Sequence, residues 1–97
     1  MAAYIMLVSW TQDGVKNIKE SPDRLAGAKK AFQAFGGEMK EFYLTMGRYD
    51  MVVVAEAPDD EALAKIALAI GSGGAVRTET LRAFPEDEYR EIVAALP

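Results

Sequence analysis

The sequence predicts an α+β fold, a ferredoxin-like β-α-β-β-α-β sandwich with one further helix at its C-terminus. Three observations carry this. Short apolar runs of strand length alternate with stretches whose apolar residues recur at helical spacing. The connection Gly47-Arg48-Tyr49-Asp50 is so short that the strands on either side of it must form an antiparallel hairpin. And 97 residues is one domain's worth, with no linker or low-complexity tract inside it, so residues 1–97 read as a single domain.

Each element has its own warrant. Ala3 to Trp10 is a continuous apolar run of strand length and strand composition, ending at Thr11-Gln-Asp-Gly14. Val15 to Glu20 is polar, with room for a short helical turn. Ser21-Pro22-Asp23 reads as a helix start: Ser21 can cap, Pro22 suits the first helical position and Asp23 suits the positive end of the dipole. Leu25, Ala28, Phe32 and Phe35 follow at helical spacing until Gly36-Gly37 ends the helix. Glu38 to Met46 alternates, with Phe42, Leu44 and Met46 on one face and Glu41, Tyr43 and Thr45 on the other. Met51 to Ala57 is a third strand, stopped by Pro58. Asp59, Asp60 and Glu61 then open a helix with the stripe Leu63, Ile66, Ala67 and Ile70, which ends at Gly71-Ser-Gly-Gly74. Ala75 to Phe84 is a fourth strand, and Pro85-Glu-Asp-Glu opens a last helix expected to bury Tyr89, Ile92, Val93 and Leu96.

Such a chain gives a four-stranded antiparallel sheet with two helices on one face. Strands one and three are nonetheless apolar on both faces, because Val52 and Val54 must point away from Val53 and Ala55. A bare apolar face of that size needs a cover, and the C-terminal helix is too short to supply it alone. A second copy related by twofold symmetry is the economical answer, so a homodimer or a ring of dimers is expected.

Composition narrows the function. The net charge is −4, and the eleven Lys and Arg residues are scattered, which argues against nucleic-acid and membrane-surface partners. Without cysteine or histidine there is no disulfide, no thiolate nucleophile, no Cys-ligated zinc and no histidine for haem or general-base work. No cofactor and no metal site are expected. The apolar start Met1-Ala-Ala-Tyr-Ile-Met-Leu-Val lacks a basic leader and is too short to span a bilayer, so it reads as the first strand of a cytoplasmic protein.

The stretch "TMGRYDMVVVAEAPDDEALAKIALAIGSGGAVRTETLRAFPEDEYREI", together with "YIMLVSWTQDGVKNIKESPDR", resembles the GYD-domain family of small bacterial and archaeal proteins. The family's Gly-Tyr-Asp core stands here with one inserted residue, as Gly47-Arg48-Tyr49-Asp50. The resemblance implies a dimeric α+β barrel and carries no settled biochemical function. "TMGRYDMVVVAEAPDDEAL" and "AVRTETL" are also similar, more weakly, to the effector domain of Lrp/AsnC-type regulators. Those domains assemble into dimers and rings and bind amino acids at subunit interfaces. Their DNA-binding helix-turn-helix has no counterpart in these 97 residues, so a stand-alone effector-type domain is the expectation.

Candidate ligand-binding residues are Gly47, Arg48, Tyr49 and Asp50 at the hairpin, with Arg77, Glu79, Tyr43 and Trp10 on strands. Asp50 and loop N–H groups could grip an ammonium or hydroxyl group. The plainer reading weighs more: Gly47 supplies a positive φ, and Asp50 ties its own loop together. Arg77 and Glu79 read first as a strand-face or intersubunit ion pair, and Trp10 as core or interface. The glycine-rich segment 71–74 leaves a helix C-terminus, where the dipole has the wrong sign for phosphate. The acidic runs at 59–61 and 86–88 sit where helices start, so capping accounts for them. The function expected is that of a homo-oligomeric module binding or sensing a small polar metabolite. The alternatives are a cofactor-free barrel enzyme, oxygenase- or isomerase-like, with Glu79 or Asp50 as base, and a ligand-free interaction or assembly protein.

Overall fold

Alternation with period two dictates the sheet. In β1 (Ala2–Trp10), Tyr4, Met6 and Val8 are buried and their neighbours half-buried; in β3 (Met51–Ala57), Met51, Val53, Ala55 and Ala57 are buried. The structure, a computed structural model describing residues 1–97, sets these strands side by side at the centre of one sheet. The order is β2-β3-β1-β4, with β2 over Glu38–Leu44 and β4 over Val76–Ala83, and every neighbouring pair is antiparallel. The predicted ferredoxin-like fold is therefore the fold observed.

One helix layer covers one face. It consists of α2 (Ser21–Ala34) and α3 (Asp60–Gly71), which place Phe32, Leu63 and Ile66 at 0–3% exposure against the inward residues of β1 and β3. The Asp59 carboxylate caps α3 by accepting the Ala62 N–H at 2.9 Å, which explains the acidic start seen in the sequence. Before α2 comes a short helix, α1 (Gln12–Lys16), followed by a 3₁₀ turn at Ile18–Glu20. That turn runs straight into α2, so Ser21 is already helical (φ −56°, ψ −42°) and does not act as the expected cap. α1 lies tight against the start of β4: a Cβ on Gly14 would fall 2.0 Å from the Ala75 carbonyl oxygen.

Three further expectations are corrected. First, β2 stops at Leu44, not Met46; residues 45–50 form the connection, and Met46 is 99% exposed. Second, β2 carries a bulge between Met39 and Glu41. One extra residue lets Met39 and Phe42, paired with Ala55 and Val53, both face the helices, which strict alternation forbids. Third, α4 (Glu86–Ala94) buries nothing: its Tyr89, Ile92 and Val93, and Leu96 just beyond it, are 47–64% exposed. The helix stands off the body, and the chain measures 52 × 30 × 17 Å with a radius of gyration of 14.6 Å, where a compact chain of this length has about 13 Å. A helix this short does not hold itself in water without packing.

Candidate functional site

The uncovered face of the sheet is built by the residues that alternate outward. Register across the strands places Val54, Ile5 and Leu81 in one row and Tyr43, Val52, Leu7 and Glu79 in the next. Ile5, Leu7, Val52, Val54 and Leu81 thus form a continuous apolar patch on the face opposite α2 and α3. At one end of the sheet Glu38 and Glu56 stand opposite each other, with Lys40 Nζ 3.1 Å and 3.9 Å from their carboxylates. Lys40 is held above its ordinary value, first by the hydrogen bond to Glu38 and then by the two negative charges.

The other end is the hairpin corner. Gly47 takes φ +129°, a backbone region that favours glycine. The Thr45 N–H donates to the Asp50 carbonyl at 2.8 Å, and the Thr45 hydroxyl donates to the Tyr49 carbonyl at 2.7 Å. Asp50 then ties the corner to β1: its N–H donates to the Val8 carbonyl at 2.9 Å, and its carboxylate accepts the Trp10 N–H at 2.9 Å. The expected bonds within the loop are thus made by Thr45, while the Asp50 side chain reaches the neighbouring strand. The Tyr49 hydroxyl donates to Glu79 Oε2 at 2.6 Å. Because β1 lies between β3 and β4, this bond carries Tyr49 across the end of the apolar patch. The Glu79 hydrogen bond, aided by desolvation and the Glu79 charge, holds the Tyr49 phenol above its ordinary range.

The strand candidates divide. Tyr43, 53% exposed, shares a row with Glu79, and Arg77 is the next outward residue of β4. Glu79 takes the Tyr49 hydroxyl, and no ion pair with Arg77 forms within the chain. Arg48 is exposed on the loop. The Trp10 side chain belongs to the opposite face: it pairs with Val76, packs against the core and buries an indole N–H that has no acceptor in the chain. Only the Trp10 backbone reaches the corner. The structure therefore gathers Tyr43, Tyr49, Asp50, Arg77 and Glu79 at the rim of an apolar surface. No group of three or more acidic side chains converges to hold a metal ion, and no helix is long and apolar enough to cross a membrane. The exposed α4 was not foreseen; its signal was a short apolar stripe following a sheet whose helix-facing side already had α2 and α3 over it.

The architecture is a two-layer α+β sandwich, one sheet under one helix layer, with an apolar outer sheet face and a polar rim. The chain belongs to the GYD-domain family, whose pattern matches residues 4–93. It is 34% identical over 86 residues to a glutamine synthetase and cystathionine beta-lyase binding protein of Thermus thermophilus, covering 88% of this chain and 90% of that protein. Among solved structures it is similar to TTHA0845, also from Thermus thermophilus, with a TM-score of 0.57, 27% identity, and coverage of 87% and 94% of the two chains. The fold is shared with a feast or famine regulatory protein of M. tuberculosis complexed with L-methionine, at a TM-score of 0.63 and 17% identity, over 90% of this chain and 54% of that one.

Proposed function

We propose that this protein is a homodimeric binding module that docks onto enzymes of amino-acid metabolism. The observation that carries the reading is the bare patch of Ile5, Leu7, Val52, Val54 and Leu81, together with an α4 that finds no cover in its own chain. Two copies facing each other through this patch remove it from water, and each α4 gains a surface to pack against. The remaining polar rim and the outer faces of the helices are then free to hold a partner. The Thermus relative, named for binding glutamine synthetase and cystathionine beta-lyase, supports a protein partner of that kind. Asp50 and Glu79, the carboxylates an enzyme would use as base, are already engaged by Trp10 N–H and Tyr49, which favours binding over catalysis.

Light scattering across a dilution series tests the dimer, with Leu7→Asp expected to give a folded monomer. Immobilised protein presented with purified glutamine synthetase and cystathionine β-lyase tests the docking. A native chain that stays monomeric at high concentration, or binds neither enzyme, would count against the reading. A second reading rests on Tyr49, Glu79 and the unpaired Arg77 at the patch edge: a small polar metabolite held at the subunit boundary. A thermal-shift screen against amino acids checks it, with the hit expected to vanish in Glu79→Gln.

A further inference from the structure

The helix layer does not close over the sheet. Between α2, α3 and the inward face lies a cleft of about 270 Å³, walled by apolar side chains that include Met6, Phe32, Met39, Met51 and Ile70. The gap has a cause in the sequence. α2 presents Gly27, Ala28 and Ala31 to it, residues with no side chain beyond a methyl, and a Cβ on Gly27 would meet nothing within 4 Å. An enclosed apolar cavity of roughly 150 Å³ already holds a benzene ring. This cleft is larger, and flexible methionines let its wall adapt to an occupant.

Arg24, one turn before Ala28, stands on the same wall. Its guanidinium is fixed: Nη1 donates to the Asn17 carbonyl at 3.1 Å and Nη2 to the Gly14 carbonyl at 3.3 Å. Its Nε–H is buried and has no acceptor in the chain. A buried donor left without an acceptor is costly, and structures seldom keep one without a reason. Glu20, 3.9 Å away and mostly exposed, pairs with Arg24 only weakly. Asp13, Glu20 and Asp23 share a neighbouring surface hollow with Arg24, and their charges oppose a multiply charged anion such as phosphate. What suits a single fixed cationic donor beside an apolar cleft is a singly charged acceptor on an apolar body.

We propose that this cleft binds small apolar monocarboxylates, with Arg24 receiving the carboxylate and the methionine- and phenylalanine-lined wall receiving an aromatic or branched aliphatic tail. The site lies on the face of the sheet opposite the self-association patch, so it stands or falls independently of the dimer.

The test is a titration of protein carrying ¹³C-methyl methionine, read by NMR. The probes are phenylacetate, indole-3-acetate and 4-methylpentanoate, each alongside its neutral amide. Saturable shifts are expected at Met6, Met39 and Met51, while Met46, 99% exposed, serves as the unmoved reference. At least one acid is expected to bind about tenfold or more tightly than its amide, the size of a charge-assisted hydrogen bond. Arg24→Gln should bring acid and amide to similar affinity. Ala28→Leu, which fills the cleft, should abolish the shifts while circular dichroism stays native, and Gly27→Leu serves if that variant does not fold. The proposal is overturned if no probe moves Met6, Met39 or Met51 up to its solubility limit, if acids and amides bind the native protein alike, or if the cleft-filling variant binds as well as the native chain.

Discussion

Met6, Val53 and Ala55 on one face of the sheet are 0–4% exposed, while Ile5, Val52 and Val54, one residue away on the same strands, stay half-buried on the other. The side chains are of one chemical kind, so chemistry does not separate the two faces. Coverage does. α2 and α3 deliver Phe32, Leu63 and Ile66 to the inward face, and α4 delivers nothing to the outward one. The inward face is a covered core apart from the cleft beside α2; the outward face has the composition of a core and the position of a surface. That difference teaches that this chain carries more apolar strand surface than its own helices cover. A matching contrast holds for two phenols. Tyr4, buried on the inward face, donates to Asp60 Oδ1 at 2.5 Å, whereas Tyr49 makes the same kind of bond to Glu79 at the exposed rim.

The largest effect should come from the covered face. Phe32→Ala removes a fully buried ring and should cost about 3–5 kcal/mol in urea unfolding, a large share of the stability of a domain this size. Leu7→Asp on the uncovered face should instead abolish the proposed self-association while the dilute chain still unfolds cooperatively. If it unfolds the monomer as thoroughly as Phe32→Ala, the comparison of the two faces is broken. Smaller again is the corner: Asp50→Ala strands the Trp10 N–H and should cost roughly 1–3 kcal/mol, with Asp50→Asn recovering part of the loss because its amide oxygen still accepts.

The smallest effect is a pH slope. Burial, then the hydrogen bond to Asp60, pushes the Tyr4 phenol up from 10.0 to about 12. Folding favours the protonated phenol, so its stabilisation is complete below pH 10.0 and is lost as pH rises through about 12. Tyr4→Phe should flatten the fall in stability over that window. Tyr49→Phe removes a phenol that Glu79 also raises, but on the exposed rim, where water screens the pair, so it should flatten the dilute chain's alkaline curve less than Tyr4→Phe does. Equal flattening in both variants would erase the distinction between the two phenols.

Much of this fold was legible because local signals agreed with one another. Period-two alternation marked β1 and β3, helical spacing marked α2 and α3, and Gly36, Pro58 and Asp59 marked where elements end or begin. The corner was legible as a turn through Gly47. Its bonding was not, because Asp50 reaches Trp10 forty residues away and Tyr49 reaches Glu79 thirty residues away. Nor was the bulge in β2, since one extra residue shifts Met39 onto the Phe42 face without any composition cue. The place of the Trp10 ring follows from alternation: it keeps the parity of Tyr4, Met6 and Val8, so it goes to the core and not to the rim.

By itself the sequence determined the element types, the antiparallel hairpin and the two-sided apolar character of the central strands, because each depends only on residue spacing and side-chain kind. The tertiary structure decided which apolar face is covered, where α4 goes and which carboxylate meets which donor. Those outcomes depend on how few surfaces the chain has to offer one another, and two helices can cover only one side of a four-stranded sheet.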